Sequence, residues 1–495
     1  MTTGSNWETV IGLEVHVELA TATKLFCGCA NAFGAEPNSN VCPVCLGLPG
    51  SLPVLNEAAV EFALRVGEAL QCRVPEHSIF HRKNYFYPDM PKNFQISQYD
   101  EPICVDGWLE IPGVRGVPED TGIQVGIERA HLEEDTGKTV HVGGGGRIHE
   151  ADHSLVDYNR AGVPLMEIVS RPDIRGAEQA RTYVTELRRV LEAIGVSDVK
   201  MEEGSLRIDA NISLRPAGTE PYGTKVEIKN MNSLRSLGRA LEYEAGRQAD
   251  VLGRGERVVQ ETRHWDEEAG RTHSLRSKEE AFDYRYFPEP DLVPVAPSAQ
   301  WRERVRAAMP ELPAARRARL AQAWGVSDHD AAVLLAVPGL ADYAEAAVAA
   351  GAPGREVTNW VVGDLLGFVR ESGTPVGELA LRPEGLAELV GLVAEGTLSR
   401  PLAKEVLGAA LAGEGSPKEI VATRGLAQVS DESELVTVVE EVLTASPVEV
   451  ERYRSGDDKE RKKLRGFFMG KVMAATKGRG NPQVLNRLLD DQLSR

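Results

Sequence analysis

The stretch Ile11-Gly12-Leu13-Glu14-Val15-His16-Val17-Glu18-Leu19 alternates without a break. Ile11, Leu13, Val15, Val17 and Leu19 fall on one parity, and Gly12, Glu14, His16 and Glu18 on the other. A period of two with many β-branched residues predicts a half-buried strand. Alternate side chains of a strand share a face about 6.6 Å apart, so Glu14, His16 and Glu18 form a row of acid, imidazole and acid. Such a row is either the wet face of an amphipathic strand or a divalent-metal site, because carboxylate oxygens suit Mg²⁺ and a histidine can join them. What the rest of the chain brings to the same place decides between the two.

Just downstream stand Cys27-Gly-Cys29 and Cys42-Pro-Val-Cys45, four of the six cysteines in the chain. Two close cysteine pairs across a loop are how a tetrahedral S₄ zinc site is closed, with Zn–S near about 2.3 Å. Gly28, Pro43 and Gly47 supply the turns. Four thiolates leave no open coordination position, so zinc here would hold the fold and take no part in chemistry. Cys72 and Cys104 lack a partner pattern and read as core.

The 495 residues suffice for roughly three domains of about 150 residues each. Net charge is −18, which excludes a generic nucleic-acid coat and gives no sign of DNA binding. From Ser446 to Arg495, however, 12 Lys and Arg face 7 Asp and Glu, so a polyanion can be held at that end. Met1 to Val10 has no basic start followed by an apolar core, and no run approaches about 18 uncharged apolar residues. A cytoplasmic protein without membrane contact is expected.

Asn56 to Leu70 reads as a helix capped by Asn56. His81 to Tyr99 interleaves basic groups, amides and aromatics with no periodicity. It is either an aromatic-pinned loop or a surface for a phosphate-rich end. Ile123 to Ile127 alternates as a strand and leads into Arg129-Ala-His-Leu-Glu-Glu-Asp135, whose acids repel unless cations sit among them. Gly143 to Gly146 has no Lys-Ser/Thr after it and reads as a flexible connection. Glu167 stands among apolar neighbours and must meet an arginine or a metal. Gln179 to Gly195 reads as an amphipathic helix. Leu206 to Ser213 and Thr224 to Asn230 read as a hairpin. It shows Arg207, Asp209, Asn211 and Ser213 on one strand and Lys225, Glu227 and Lys229 on the other.

Pro288, Pro290, Pro294 and Pro297 mark a boundary, beyond which the chain is Ala- and Leu-rich and helical. Val357, Trp360, Val361, Leu365 and Phe368 line one helix, and Leu386, Leu389, Val390 and Val393 another. Residues 413–418 read as a linker. Ser430 can cap a helix to Leu443, and Lys459 to Lys477 forms a basic helix. The expected architecture is α+β: a mixed sheet-and-helix cradle over 1–296, an all-α domain over 297–412 and a small helical tail over 413–495.

Five stretches together are specific: Ile11 to Leu19, Phe33-Gly-Ala-Glu-Pro-Asn-Ser-Asn40, Arg82-Lys-Asn-Tyr-Phe-Tyr-Pro-Asp89, Val199-Lys-Met-Glu-Glu-Gly-Ser-Leu-Arg207 and Asp283-Tyr-Arg-Tyr-Phe-Pro-Glu-Pro-Asp291. In these the chain resembles the B subunits (GatB) of the tRNA-dependent amidotransferases. The C-terminal part fits more loosely, through Met473 to Pro482.

The resemblance implies conversion of Glu-tRNA(Gln), and often Asp-tRNA(Asn), to the amidated forms. ATP and Mg²⁺ serve to phosphorylate the side-chain carboxylate. Ammonia comes from a partner amidase subunit, with a small third subunit in the same complex. The resemblance implies Glu14, His16 and Glu134 as first metal-ligand choices, then Glu133 and Glu167. Strand parity puts Glu133 rather than Glu134 beside His131, so the place of Glu134 rests on resemblance alone. Arg207, Asp209, Lys225 and Lys229 are candidates for the nucleotide side. Lys83 resembles a residue near the ammonia path, and the basic tail fits a grip on tRNA. The other reading is a zinc-stapled tRNA-binding or chaperone protein with no catalytic step. The acid-histidine row and Glu167 favour the enzyme.

Overall fold

The computed structural model describes residues 7–113, 122–143, 151–277, 284–426, 432–476 and 480–494. The chain divides into two compact units, Met1–Pro313 and Ala314–Arg495. The first is built on a mixed sheet and the second is helical, which is the α+β architecture expected.

The first unit is organised by β1 (Trp7–Glu18), which lies between β9 (Leu206–Pro216) and β8 (Pro164–Ser170), antiparallel to both. On one side the sheet continues from β9 to β10 (Val226–Lys229), β11 (Glu261–Asp266) and β12 (Arg271–Ser277). On the other it runs from β8 to β5 (Ile123–Glu134), β3 (Phe94–Gln98), β2 (Phe80–Asn84) and β13 (Phe287–Pro288). β4 (Cys104–Ile111) pairs with β5, and β6 (Lys138–Val142) and β7 (His153–Asp157) form a separate hairpin. The β10–β11 pair is parallel, which makes the large sheet mixed.

The apolar parity of β1 enters the core completely. Ile11, Leu13, Val15, Val17 and the following Leu19 pack with residues of α1 (Glu57–Ala69), α2 (Ala177–Ala193) and α3 (Leu234–Gly253). The helices cover one side of the sheet, and the polar parity of β1 is left on the other. Asn56 caps α1 as expected, accepting from the Ala58 amide at 3.0 Å, and its own amide group donates to the Thr23 carbonyl at 3.0 Å. Gly195 follows α2 in the left-handed region at φ +68°, where a glycine stops a helix at no steric cost. α4 (Ala299–Ala307) closes the unit, with Arg306 paired to Glu68 of α1 at 2.9 Å.

Two readings change in detail. The strand expected at Ile123–Ile127 runs on to Glu134. Its acidic end stays in the ladder because β8 pairs with it and cations meet its carboxylates. His81 to Tyr99 holds the β2–β3 hairpin, with Phe86 and Tyr87 exposed in its turn. These strands are five residues each, too short to print a period on the sequence.

In the second unit, Leu386, Leu389 and Val390 enter the core from α10 (Pro383–Ala394). Val357 to Phe368 forms helix as expected, but α8 (Gly354–Trp360) and α9 (Leu366–Ser372) are joined by a π-helical turn at Val361–Leu365. The wider turn keeps Val357, Trp360, Val361 and Leu365 all buried and leaves Phe368 half-buried. A separate cluster unites α13 (Glu432–Thr444), α15 (Asp458–Ala475) and α16 (Pro482–Leu493) around Leu435, Phe468 and Leu489. Gly144 to Gly146, Asp283, Ser430 and Lys477 lie outside the described residues.

Because Asn56 both caps α1 and ties it to the preceding loop, Asn56→Ala is expected to cost about 1–2 kcal/mol. Chemical denaturation reads this as a lower midpoint for the first unit.

Candidate active site

Strand register carries the polar parity of β1 across the sheet. His16 pairs with Glu167 on β8 and with Arg207 on β9, while Glu167 also pairs with His131 on β5. One row across four strands is therefore Arg207, His16, Glu167, His131. In the next row Glu14 pairs with Asp209, and in the row beyond it Asn211 pairs with Glu227 of β10.

In the first row Glu167 Oε2 is 3.5 Å from His16 Nε2 and 3.5 Å from His131 Nε2. Glu133 shares its face with His131, as parity required, with Oε2 3.8 Å from His131 Nε2. Arg129 comes within 3.9 Å of Glu167, so the buried carboxylate has its cation. Ligand atoms of His16, Glu133 and Glu167 all lie within 4.8 Å of one another. Burial opposes ionisation of Glu167 and Glu133, but His131, His16 and Lys83 hold Glu167 well below the carboxylate range, and His131 and Lys83 keep Glu133 low. Burial also opposes charge on His16, yet its hydrogen bond to Glu167 prevails and raises it to about 9. Two ionised carboxylates converging here are hard oxygen donors suited to Mg²⁺, and His16 joins them as a ligand only on giving up its proton. The buried Nδ1 of His131 has no partner among the described residues.

The next two rows together form a second carboxylate group. Glu14, Asp209 and Glu227 present oxygens within 4.8 Å of one another. Lys229 fills it, at 2.5 Å from Asp209 and 3.5 Å from Glu227. Asn211 donates to Glu14 at 2.8 Å, and Thr262 to Glu227 at 2.7 Å. Burial, followed by the charges of Glu167, Glu227 and Asp209, pushes Glu14 up. Lys229 is pushed up in spite of its burial by Asp209 and Glu227. Lys225 lies just before β10, in the segment that joins it to β9.

A third group borders these. Arg207 donates to Asp135 at 2.6 Å, and Arg160 lies 3.5 Å from the same carboxylate. Asp135 is held low against its burial by Arg207 and Arg160. Burial and then Asp135 push the neighbouring Glu18 up to about 8. A cleft of about 1120 Å³ opens over these groups, lined among others by His16, Glu18, Glu133, Asp135, Arg207 and Lys229.

Lys83, on β2, is 4.9 Å from the centre of the Tyr284 ring. Tyr284 adjoins Tyr286, which stacks on Tyr99 at 4.3 Å. Glu134 is not brought to the histidines. Alternation along β5 turns it to the face opposite Glu133, where it pairs with Lys92 and accepts from the Ile96 amide at 2.8 Å. His16, Glu133 and Glu167 thus converge, with Glu14 alongside, and Glu134 stands on the other face. Glu18, read in the row of β1, Glu227, read on the hairpin, and Lys92 and Asp135 were not among the site residues that the resemblance implied. Parity alone places Glu18 and Glu227, whereas Lys92 and Asp135 meet their partners only through long-range pairing.

Cys27, Cys29, Cys42 and Cys45 offer four sulfurs within 4.8 Å of one another. Cys45 Sγ lies 3.7 Å from Cys42 Sγ and 3.0 Å from the Cys42 amide. A hydrogen bond from Cys27 brings the Cys45 thiol down to about 4 and raises that of Cys27 itself. A thiolate poised among thiols is the donor set that zinc takes.

Residues 9–303 match the family model of the GatB/GatE catalytic domain, and residues 342–493 that of the GatB domain. Three similar proteins are each named as the B subunit of an aspartyl/glutamyl-tRNA(Asn/Gln) amidotransferase. The one from Frankia casuarinae is 54% identical over 495 residues, covering 99% of this chain and 96% of the relative. That from Salinispora arenicola is 53% identical over 492 residues, covering 98% and 96%. That from Synechococcus elongatus is 51% identical over 489 residues, covering 99% and 98%. The first match spans every strand that builds the cleft and the identity extends along the whole length, so the chain belongs to the GatB family, the B subunits of aspartyl/glutamyl-tRNA(Asn/Gln) amidotransferases.

Proposed function

We propose that this chain activates the side-chain carboxylate of the amino acid carried by Glu-tRNA(Gln), Asp-tRNA(Asn) or both, and completes its amidation. A carboxylate is a poor electrophile because its oxygen leaves badly. ATP transfers its γ-phosphoryl group to that oxygen, giving an acyl phosphate and ADP. Ammonia then attacks the carbonyl carbon, phosphate leaves with the C–O electron pair, and the nitrogen sheds a proton. Phosphoryl transfer of this kind asks a protein for positioning and charge compensation rather than covalent chemistry.

The observation that carries the reading is the meeting of His16, Glu133 and Glu167, of which His16 and Glu133 line a cleft together with Arg207, Arg160 and Lys229. His16, Glu133 and Glu167, with Glu14 alongside, would hold Mg²⁺, which when bound neutralises phosphate charge and orients oxygens. Arg207, Lys225 and Lys229 serve the nucleotide side, and Asp209 fixes the Lys229 ammonium. Lys83 stands on the side from which ammonia arrives, and its charge adds to that of the histidines in lowering Glu133 and Glu167.

In this scheme residues 1–296 are the catalytic cradle, 297–412 a helical domain and 413–495 a tail that grips tRNA. Ammonia comes from the partner amidase of the same complex, to which a small third subunit also belongs. Zinc on the four cysteines staples the loop between β1 and α1. The place of work is the cytoplasm, without DNA or membrane as partners; no helix among the described residues is long and apolar enough to cross a membrane.

His16→Ala and Glu167→Gln are expected to abolish ATP-dependent phosphorylation of misacylated tRNA by the complex while tRNA affinity stays within about twofold. Transfer of ³²P from γ-labelled ATP and a filter-binding assay check the two halves. Normal phosphate transfer by either variant removes that residue from the site.

Tag-free protein should contain one zinc per chain by elemental analysis, and Cys42→Ala should lose it together with stability of the first unit. Metal-free protein of undiminished stability overturns the staple.

Ammonium chloride should replace glutamine in a complex whose amidase nucleophile is disabled, because this chain needs only ammonia. Absence of amidated product, with tRNA still bound, contradicts the division of labour.

A further inference from the structure

We propose that Phe33 is the stacking platform for an adenine ring bound in the cleft. This deepens the function proposed above and rests on ATP and the 3′ end of tRNA meeting there. Phe33 lines the cleft and is 76% exposed, in contrast to the charged groups that line most of the polar wall. Single exposed apolar side chains are ordinary on a protein surface; what sets Phe33 apart is its place on the cleft wall in an anchored loop. The loop here is held at both ends. On the near side the Asn31 amide hydrogen-bonds to the Ala22 carbonyl at 3.1 Å, and Asn31 Nδ2 donates to the Leu19 carbonyl at 2.8 Å. On the far side the Asn38 amide donates to Asp157 at 2.9 Å, Asn38 Nδ2 to the Val156 carbonyl at 3.0 Å, and Asn159 Nδ2 to the Glu36 carbonyl at 2.7 Å.

The backbone between these anchors is equally set. Gly34 lies at φ +85° with nothing within 4 Å of a built Cβ, so glycine is required there for conformation and not for space. Asn38 sits at φ +58°, a left-handed position that asparagine tolerates best among residues with a Cβ. The chain therefore uses a glycine, a left-handed asparagine and three amide hooks to hold one unpacked aromatic ring at a cleft wall. The cysteine pairs flank the same loop, and their sulfurs meet. Preorganisation of this kind lowers the entropy a ligand must lose on binding.

The occupant follows from what else lines the cleft. Arg160, Arg207 and Lys229 suit phosphate oxygens. A ligand with a flat π face at one end and phosphates at the other uses both the ring and these cations. Adenine is that flat face in ATP, and it is also the terminal base of tRNA. The chemistry is shared, and experiment separates the sources.

Phe33→Ala, Phe33→Leu and Phe33→Trp in the complete complex provide the test. Base stacking on an aromatic ring is worth about tenfold in affinity. Phe33→Ala and Phe33→Leu should raise KM for ATP roughly tenfold with kcat within twofold, and Phe33→Trp should restore it. In Phe33→Trp, 1,N⁶-ethenoadenosine triphosphate added without tRNA should quench the new tryptophan. That binding readout requires no turnover, so it survives even if the proposed reaction is wrong. A rise in KM for aminoacyl-tRNA alone, with no nucleotide quench, assigns the platform to the terminal adenosine. Both KM values within twofold of wild type in Phe33→Ala, with no quench in Phe33→Trp, overturn the proposal.

Discussion

The first unit depends on keeping seven carboxylates together on one face of a sheet. Glu14, Glu18, Glu133, Asp135, Glu167, Asp209 and Glu227 stand on or directly after five strands, and most are at least half-buried. Left to themselves they repel, and burial makes the repulsion worse. Two responses are visible. Where a cation is close, as for Glu133, Asp135 and Glu167, the carboxyl is held low against its burial. Where compensation falls short, as for Glu14 and Glu18, burial and the neighbouring acids push the carboxyl up. Two of the carboxyls held low, Glu133 and Glu167, stand where the two histidines also converge.

The opposite face of the same strand bears the cost. Val15 and Val17 are wholly buried, and with Ile11, Leu13 and Leu19 they join β1 to three helices. Period-two alternation makes the two faces inseparable: a slip of one residue in β1 would send His16 into the core and Val15 into the cleft. Pairing with β9 over eleven residues and with β8 over five prevents that slip. A rigid sheet centre is what a positioning site requires, since phosphoryl transfer is sensitive to misplacement on the scale of about 1 Å.

What could be read from sequence followed the range of the interaction. The alternation of β1, the cap at Asn56, the helix ending at Gly195 and the cysteine pairs are local, and each stands where it was expected. The meeting of Glu167 with a cation followed from the cost of a buried charge, although which cation did not. The β2–β3 hairpin was hidden because its five-residue strands carry polar residues on both parities. Lys92, 42 positions from Glu134, and Arg207, 72 positions from Asp135, show no local pattern that joins them. Tertiary pairing alone decides such contacts.

Glu133 and Glu134 make the point most sharply, because two sources of inference disagreed over them. Resemblance favoured Glu134, whereas alternation along the strand favoured Glu133. Both side chains are buried carboxylates one residue apart, so composition cannot separate them. In a ladder the choice has only two values, since successive side chains point to opposite faces. His131 fixes the histidine face, and Glu133 is the neighbour on it. Glu134 is then obliged to find its counter-ion on the other face, and Lys92 supplies it. The two adjacent acids therefore meet different partners: Glu133 faces His131, and Glu134 pairs with Lys92 and the Ile96 amide.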